Sequence, residues 1–251
     1  MSPITPRLRM FAGPNGSGKS VLKQHLPLAL LGFYLNPDEI EQEIRKQGFL
    51  DLASYGATTD AEEVLAFFKK SEFLVLNRLC ETADLLSFSD GRLNFTHVPI
   101  NSYFASATVD FLRQKLLERR VSFTFETVMS HPSKVDLLRH AQTAGYRTYL
   151  YFIATDDPEI NISRVRNRVK LGGHDVPEDR IASRYYRSLD LLLDAIRHTN
   201  RAYVFDNSRD NRDRKHTWLA EITDGKELEM KTDQVPAWFK RSVLDKINLT
   251  L

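Results

Sequence analysis

Short apolar runs alternate with amphipathic stretches along the whole chain, and the alternation predicts strands and helices in turn. Residues 7–12 (RLRMFA) read as a strand. Residues 21–31 follow as a helix that Pro27 bends or ends, since proline lacks the N–H and clashes with the preceding turn. Residues 33–36 (FYLN) form a second short strand, and Pro37 opens a helix over 38–46, an entry position that tolerates a missing N–H. The apolar-rich stretch 61–86 predicts one long helix. Residues 87–101 are rich in turn formers, with Asp90-Gly91 as a hairpin corner, and 102–119 are helical again. Residues 121–128 (VSFTFETV) and 147–155 (RTYLYFIAT) are β-branched and aromatic, as strands are. Between them, 133–144 predict a helix closed by Gly145. Helices over 158–170 and 177–198 meet at Gly172-Gly173. A strand over 201–206 (RAYVFD), a hairpin over 215–231 about Asp224-Gly225 and a helix over 236–247 complete the chain.

Such alternation implies an α/β fold whose sheet is mostly parallel and covered by helices on both faces. Composition changes this picture little. The 251 residues, 42% hydrophobic and 27% charged, suit an ordinary globular protein. A formal net charge of +2 makes no general case for nucleic acid or membrane, so neither is expected as a partner. One cysteine, Cys80, can form neither an internal disulfide nor a cysteine-based zinc site and reads as packing. No charged-then-apolar leader and no run long enough to cross a bilayer are visible, so the expected location is the cytoplasm.

The candidate chemistry begins at once. Gly13-Pro14-Asn15-Gly16-Ser17-Gly18-Lys19-Ser20 fits G-x-x-x-x-G-K-[ST] without a gap, with a strand before it and a helix after. Glycines let the backbone curl until its N–H groups point at phosphate oxygens. Lys19 then reaches the β/γ-phosphates and the Ser20 hydroxyl can ligate Mg²⁺. ATP or GTP with magnesium is the expected ligand.

The loop alone leaves hydrolysis, switching and phosphoryl transfer open. A hydrolase reading needs an acid to polarise water, and only Asp156-Asp157 after the 147–155 strand offers one, without a following glutamate. Transfer needs a carboxylate to take the acceptor's proton and cations to neutralise the moving phosphoryl group. Asp38 stands just past the second strand, at the sheet edge where open α/β folds bind ligands; it is equally an acid favoured at a helix start. Glu126 closes an apolar strand, a costly position without a partner, and Thr127 and Ser130 lie just beyond it. The stretch 161–189 is the most basic in the chain, carrying Arg164, Arg166, Arg168, Lys170, Arg180, Arg184 and Arg187. Arg164 and Arg168 share one helix face. Two basic helices about a Gly-Gly hinge suit a lid that closes on phosphates. A polynucleotide 5′-kinase would use the same lid, with Tyr185-Tyr186 holding a nucleic-acid end.

Taken in order, "AGPNGSGKS", "NPDEI", "FTFETVMSHP", the arginine-rich "GGHDVP" region and "RAYVFDNS" resemble the zeta-toxin family of P-loop kinases, from about residue 8 to 209. The resemblance implies a P-loop NTPase fold of the kinase type. Its kinase domain spans 1–212, with a helical, turn-rich insertion at about 50–120 and a basic lid at about 158–188; a hairpin and helix extension spans 213–251. It also implies transfer of a phosphoryl group to a hydroxyl of UDP-N-acetylglucosamine, and a small helical antitoxin as partner. Lys19 and Ser20 would bind phosphates and magnesium, and Asp38 would be the general base. Glu126 and Thr127 would contact acceptor or metal, with Ser130 beside them, and Arg164 or Arg168 would stabilise the transferred group. By fold analogy Asn207 and Arg209, after the last parallel strand, lie where such kinases hold the base. Two departures bear on the acceptor: residues 49–119 are longer than a compact zeta toxin needs, and "FETVMSHP" lacks the glycine-and-arginine pattern of the nucleotide-sugar kinases.

Overall fold

A computed structural model describes residues 5–24, 26–173, 175–209 and 216–248. The expected boundary at 212–213 and His174, just past the Gly-Gly break, lie outside the described residues. The chain divides into two compact units, Met1–Leu31 with Glu126–Leu251, and Gly32–Phe125.

In chain order the first unit opens with β1 (Arg7–Ala12), the glycine-rich loop, α1 (Lys19–Gln24) and α2 (Leu28–Leu31). The break between the two helices falls at Pro27, as its chemistry requires. The second unit follows with β2 (Phe33–Leu35), α3 (Pro37–Gln47), β3 (Phe49–Asp51), α4 (Ala61–Lys70), α5 (Glu72–Leu76), α6 (Cys80–Ala83), β4 (Ser87–Ser89), β5 (Arg92–Asn94) and α7 (Ser102–Glu118). Strand β6 (Phe123–Thr127) pairs in parallel with β2 from Phe33↔Phe123 to Leu35↔Phe125. Its last two residues count with the first unit. That unit continues with α8 (Ser133–Thr143), β7 (Arg147–Ala154), α9 (Pro158–Lys170), α10 (Glu178–Asp190), α11 (Leu192–Arg197), β8 (Arg201–Asp206), β9 (Thr217–Thr223), β10 (Glu227–Met230), α12 (Ala237–Phe239) and α13 (Asp245–Asn248), with a π-helical turn between the last two.

The main sheet has seven strands among the described residues, mostly parallel and flanked by helices, as expected for this α/β class. Five belong to the first unit, in the order β10-β9-β8-β7-β1. Strands β1, β7 and β8 are parallel, and their registers bring Ala12, Phe152 and Val204 level, so the loops after all three strands open on one edge. Phe11, Tyr151 and Tyr203 stack across these strands with centroids 4.9 and 5.0 Å apart. Leu22 and Leu31 pack on Phe11, which fastens the helices behind the loop to the sheet. The C-terminal hairpin extends this sheet antiparallel to β8 through a turn at Asp224 and Gly225, both at positive φ. Fully buried Trp238 lies 6.0 Å from Phe152 and donates its indole N–H to Asp206 at 2.9 Å. The extension is therefore part of this unit's core.

In the second unit β3, β5 and β4 make a small antiparallel sheet. Its hairpin turns at Asp90 (φ 51) and Gly91 (φ 75), the pair of positive φ values that an Asp-Gly corner supplies. The long helix expected over 61–86 is three short ones. Buried Val64, Phe68, Ser71 and Leu74 follow at spacings of three or four, but the next buried position, Ala83, is nine further on and would fall on the opposite face of one straight helix. The chain re-phases by turning extended at Ser71 and left-handed at Arg78 (φ 56). The helix expected over 177–198 likewise divides, at Leu191. Among the described residues no helix is long and apolar enough to cross a membrane.

Candidate nucleotide-binding site

Strand β1 delivers Gly13 to the edge where β7 and β8 also end. The loop glycines take φ of 143° (Gly13), 73° (Gly16) and 100° (Gly18), values that L side chains rarely adopt. Space is as restrictive as conformation. A Cβ on Gly13 would lie 2.0 Å from the Ile153 carbonyl oxygen, and one on Gly16 would lie 2.6 Å from that of Asn161. A Gly16→Ala variant is therefore expected to lose about 2–4 kcal/mol of stability from the left-handed backbone and the overlap together. Denaturant melts read this directly, and an unchanged midpoint would refute it.

Two polar atoms in the loop, Asn15 Oδ1 and Ser17 Oγ, are buried with no hydrogen-bond partner. Native proteins rarely leave such groups unsatisfied except where a ligand or water completes them. Lys19 begins α1 and is only 8% exposed. Its ammonium donates to the carbonyl oxygens of Gly13 at 2.8 Å and Pro14 at 3.0 Å. Glu126 Oε1 stands 4.0 Å away, on a side chain only 14% exposed. Burying an ammonium demands partners of this kind. Ser20, next in α1, is exposed.

After Glu126, Thr127 Oγ1 accepts the Met129 N–H at 3.1 Å. Met129 is fully buried with φ 54, a left-handed conformation unusual for a long side chain. The turn leaves Ser130 half-buried.

Helix α9 crosses behind the loop. Asn161 on its first turns is fully buried. Its Nδ2 donates to the Asn15 carbonyl at 2.5 Å, and its Oδ1 accepts the Thr155 hydroxyl. Arg164, one turn on, donates to the Asn207 carbonyl at 2.8 Å. Asn207 in turn gives its side-chain N–H to the Ser17 carbonyl at 2.7 Å. Asn207, directly after β8, thus turns its amide to the loop backbone; Arg209, two residues on, is exposed. Arg168 packs its stem at Gly173, where a Cβ would come within 2.6 Å of its Cγ. Arg166 faces elsewhere and pairs with Glu178 at 2.5 Å, joining α9 to α10. Ile162, Val165, Val176 and Ile181 give these two helices a small core of their own. Tyr185, expected to help hold a nucleic-acid end, is buried and donates its hydroxyl to the Thr155 carbonyl at 2.7 Å. Burial, then the charge of Asp156, holds its phenol well above the ordinary range. It is not available as a stacking platform.

Asp38 belongs to the second unit, exposed in the first turn of α3. Asn36 caps that helix, its Oδ1 accepting the N–H groups of Asp38 at 2.9 Å and Glu39 at 3.4 Å. Pro37 follows at the tolerated position. The sequence reading overlooked Thr155 and Asn161. In "DPEINISRVR" the asparagine looks like one more polar position on a helix flank, and only the fold reveals that this flank faces the loop.

The zeta toxin family model matches residues 98–217, a stretch that includes Glu126, Arg164, Arg168 and Asn207. An uncharacterized protein of Haemophilus influenzae is 32% identical over 69 residues, 28% of this chain and 49% of that one. The chain thus spans about half the length of the curated relative it matches. The AvrRxo1-ORF1:AvrRxo1-ORF2 structure with sulphate ions superposes with a TM-score of 0.55 at 14% identity, covering 92% of this chain and 62% of the other. The AvrRxo1-ORF1:-ORF2 structure with ATP gives 0.54 at 15%, covering 91% and 61%. At such identities the superpositions speak for the fold. Over residues 98–217 the chain is thus similar to the zeta toxin family, and its α/β fold, a mostly parallel sheet flanked by helices, is shared with the AvrRxo1-ORF1 structures.

Proposed function

We propose that the protein is a magnesium-dependent kinase that transfers the γ-phosphoryl group of ATP, or of GTP, to a hydroxyl of a small molecule. The observation that carries this reading is the buried Lys19 ammonium, held at the mouth of a glycine-rich loop and 4.0 Å from Glu126. Such a lysine is placed to leave its loop carbonyls for phosphate oxygens as charge builds on the transferring group. That a protein of similar fold was crystallised with ATP supports the same donor.

In this reading Asp38 takes the acceptor's proton, Glu126, Thr127 and Ser130 face the acceptor, and Arg164 and Arg168 stabilise the transferred group. Magnesium fits the donor set, an exposed hydroxyl at Ser20 and a carboxylate at Glu126, both hard oxygen donors. Ser20, Glu126, phosphate oxygens and waters would share it, the mixed coordination that this ion accepts, and it would draw charge from the phosphates. The resemblance suggests UDP-N-acetylglucosamine as the first acceptor to try and a small helical antitoxin as a partner in the cytoplasm.

The test is a transfer assay with γ-labelled ATP and magnesium, against UDP-N-acetylglucosamine and a pool of hydroxylated metabolites. Label is expected to move to a small molecule. Release as free phosphate at a rate no metabolite changes would make the protein a switch or hydrolase and overturn the proposal. Label on an oligonucleotide 5′ end would replace the acceptor class.

A further inference from the structure

Two side-chain amides hold the phosphate loop from its outer side. A trans peptide unit is a rigid plane whose N–H points opposite to the carbonyl of the residue before it. Fixing one carbonyl therefore aims the next N–H. The Asn15 carbonyl is held by Asn161 at 2.5 Å, which sets the direction of the Gly16 N–H. The Ser17 carbonyl is held by Asn207 at 2.7 Å, which sets that of Gly18.

The orientation of Asn161 is forced. A backbone carbonyl can only accept, so the amide nitrogen must face Asn15, and the Thr155 hydroxyl satisfies the remaining oxygen. Side chain and backbone act together here, since the Asn161 carbonyl also occupies the space a Gly16 Cβ would need. The same helix face carries Arg164, whose guanidinium donates to the Asn207 carbonyl at 2.8 Å. Basic helix and loop are thus tied at two points.

We infer that Asn161 and Asn207 are positioning residues that aim the Gly16 and Gly18 N–H groups at the phosphates of a bound nucleotide. Through the Arg164–Asn207 bond they also hold α9 in register with the loop. This rests on the nucleotide reading above. It goes beyond it in assigning the loop's shape to two amides outside the motif.

The experiment measures ADP and adenosine binding by calorimetry or NMR titration in wild type, Asn161→Leu and Asn161→Asp. Both variants remove the donor to Asn15 at nearly constant volume, and the aspartate keeps the acceptor for Thr155. ADP affinity is expected to fall at least about tenfold, as misaimed groups lose effect steeply. Adenosine affinity should not change. Equal losses for both ligands would reduce Asn161 to a structural role, and no loss for either would refute the inference. Failure of the wild type to bind ADP would instead overturn the nucleotide reading, and the inference with it. Should the Asn161 variants not fold, Thr155→Val supplies the same test. It releases the amide without removing it, so the Gly16 and Gly18 amide resonances should shift and ADP should weaken, with adenosine unaffected. Unmoved resonances would count against the inference.

Discussion

A Lys19→Met variant is expected to lose phosphoryl transfer by about three orders of magnitude, roughly 4 kcal/mol of transition-state stabilisation. The side chain is 8% exposed, so its charge acts where water screens little. Methionine fills nearly the same space and leaves the packing of α1 on Phe11 through Leu22 intact. The variant also strips a donor from the Gly13 and Pro14 carbonyls, which should cost about 1–3 kcal/mol of stability. Transfer and stability are therefore measured together, the first with labelled ATP and the second by thermal melting. A folded variant that turns over at the wild-type rate would remove Lys19 from the chemistry. Lys19→Arg is a useful companion. A planar guanidinium cannot follow the compact path of an ammonium between two loop carbonyls and Glu126, so it should rescue little.

Why Lys19 was legible and its surroundings were not is a matter of range. The loop motif is local: glycines at fixed offsets, a lysine and a serine, with strand before and helix after. Its requirements are met within eight residues, and the positive φ values at Gly13, Gly16 and Gly18 follow from them. The hairpin at Asp90-Gly91 and the helix entry at Pro37 were readable for the same reason. Asn161 lies about 146 residues from the carbonyl it holds, and Asn207 about 190 from its own. Nothing near either residue announces the partner; the parallel register of β1, β7 and β8 brings them together. The basic stretch shows the opposite limit. Seven cations on two helices look alike in sequence, whereas in the fold Arg166 pairs with Glu178 and Arg164 reaches the Asn207 carbonyl beside the loop. Tyr185 reads as an exposed aromatic beside Tyr186 until α10 turns it inward. The 61–86 stretch is apolar-rich throughout, but its buried positions keep one face only as far as Leu74, and Ala83 needs the chain to turn first.

In the proposed reaction Asp38 is the base on the acceptor side, and Asp38→Asn is expected to separate binding from chemistry. Removing a general base costs about 10²–10⁴ in rate, so kcat should fall by about three orders of magnitude. The glycine-rich loop proposed to bind the donor belongs to the other compact unit, so under this proposal ATP affinity should stay close to that of the wild type. The fold should tolerate the change. Asn36 caps α3 through the backbone N–H of residue 38, which asparagine keeps, and only the favourable charge at the helix start is lost, about 0.3–1 kcal/mol. A melting temperature near that of the wild type, unchanged ATP binding and near-absent transfer would together be the signature of a base. Two other results carry opposite messages. Undiminished acceptor phosphorylation would make Asp38 a helix-start acid and nothing more, leaving Glu126 as the carboxylate to test. Weaker binding of ATP with kcat intact would move Asp38 to the donor side.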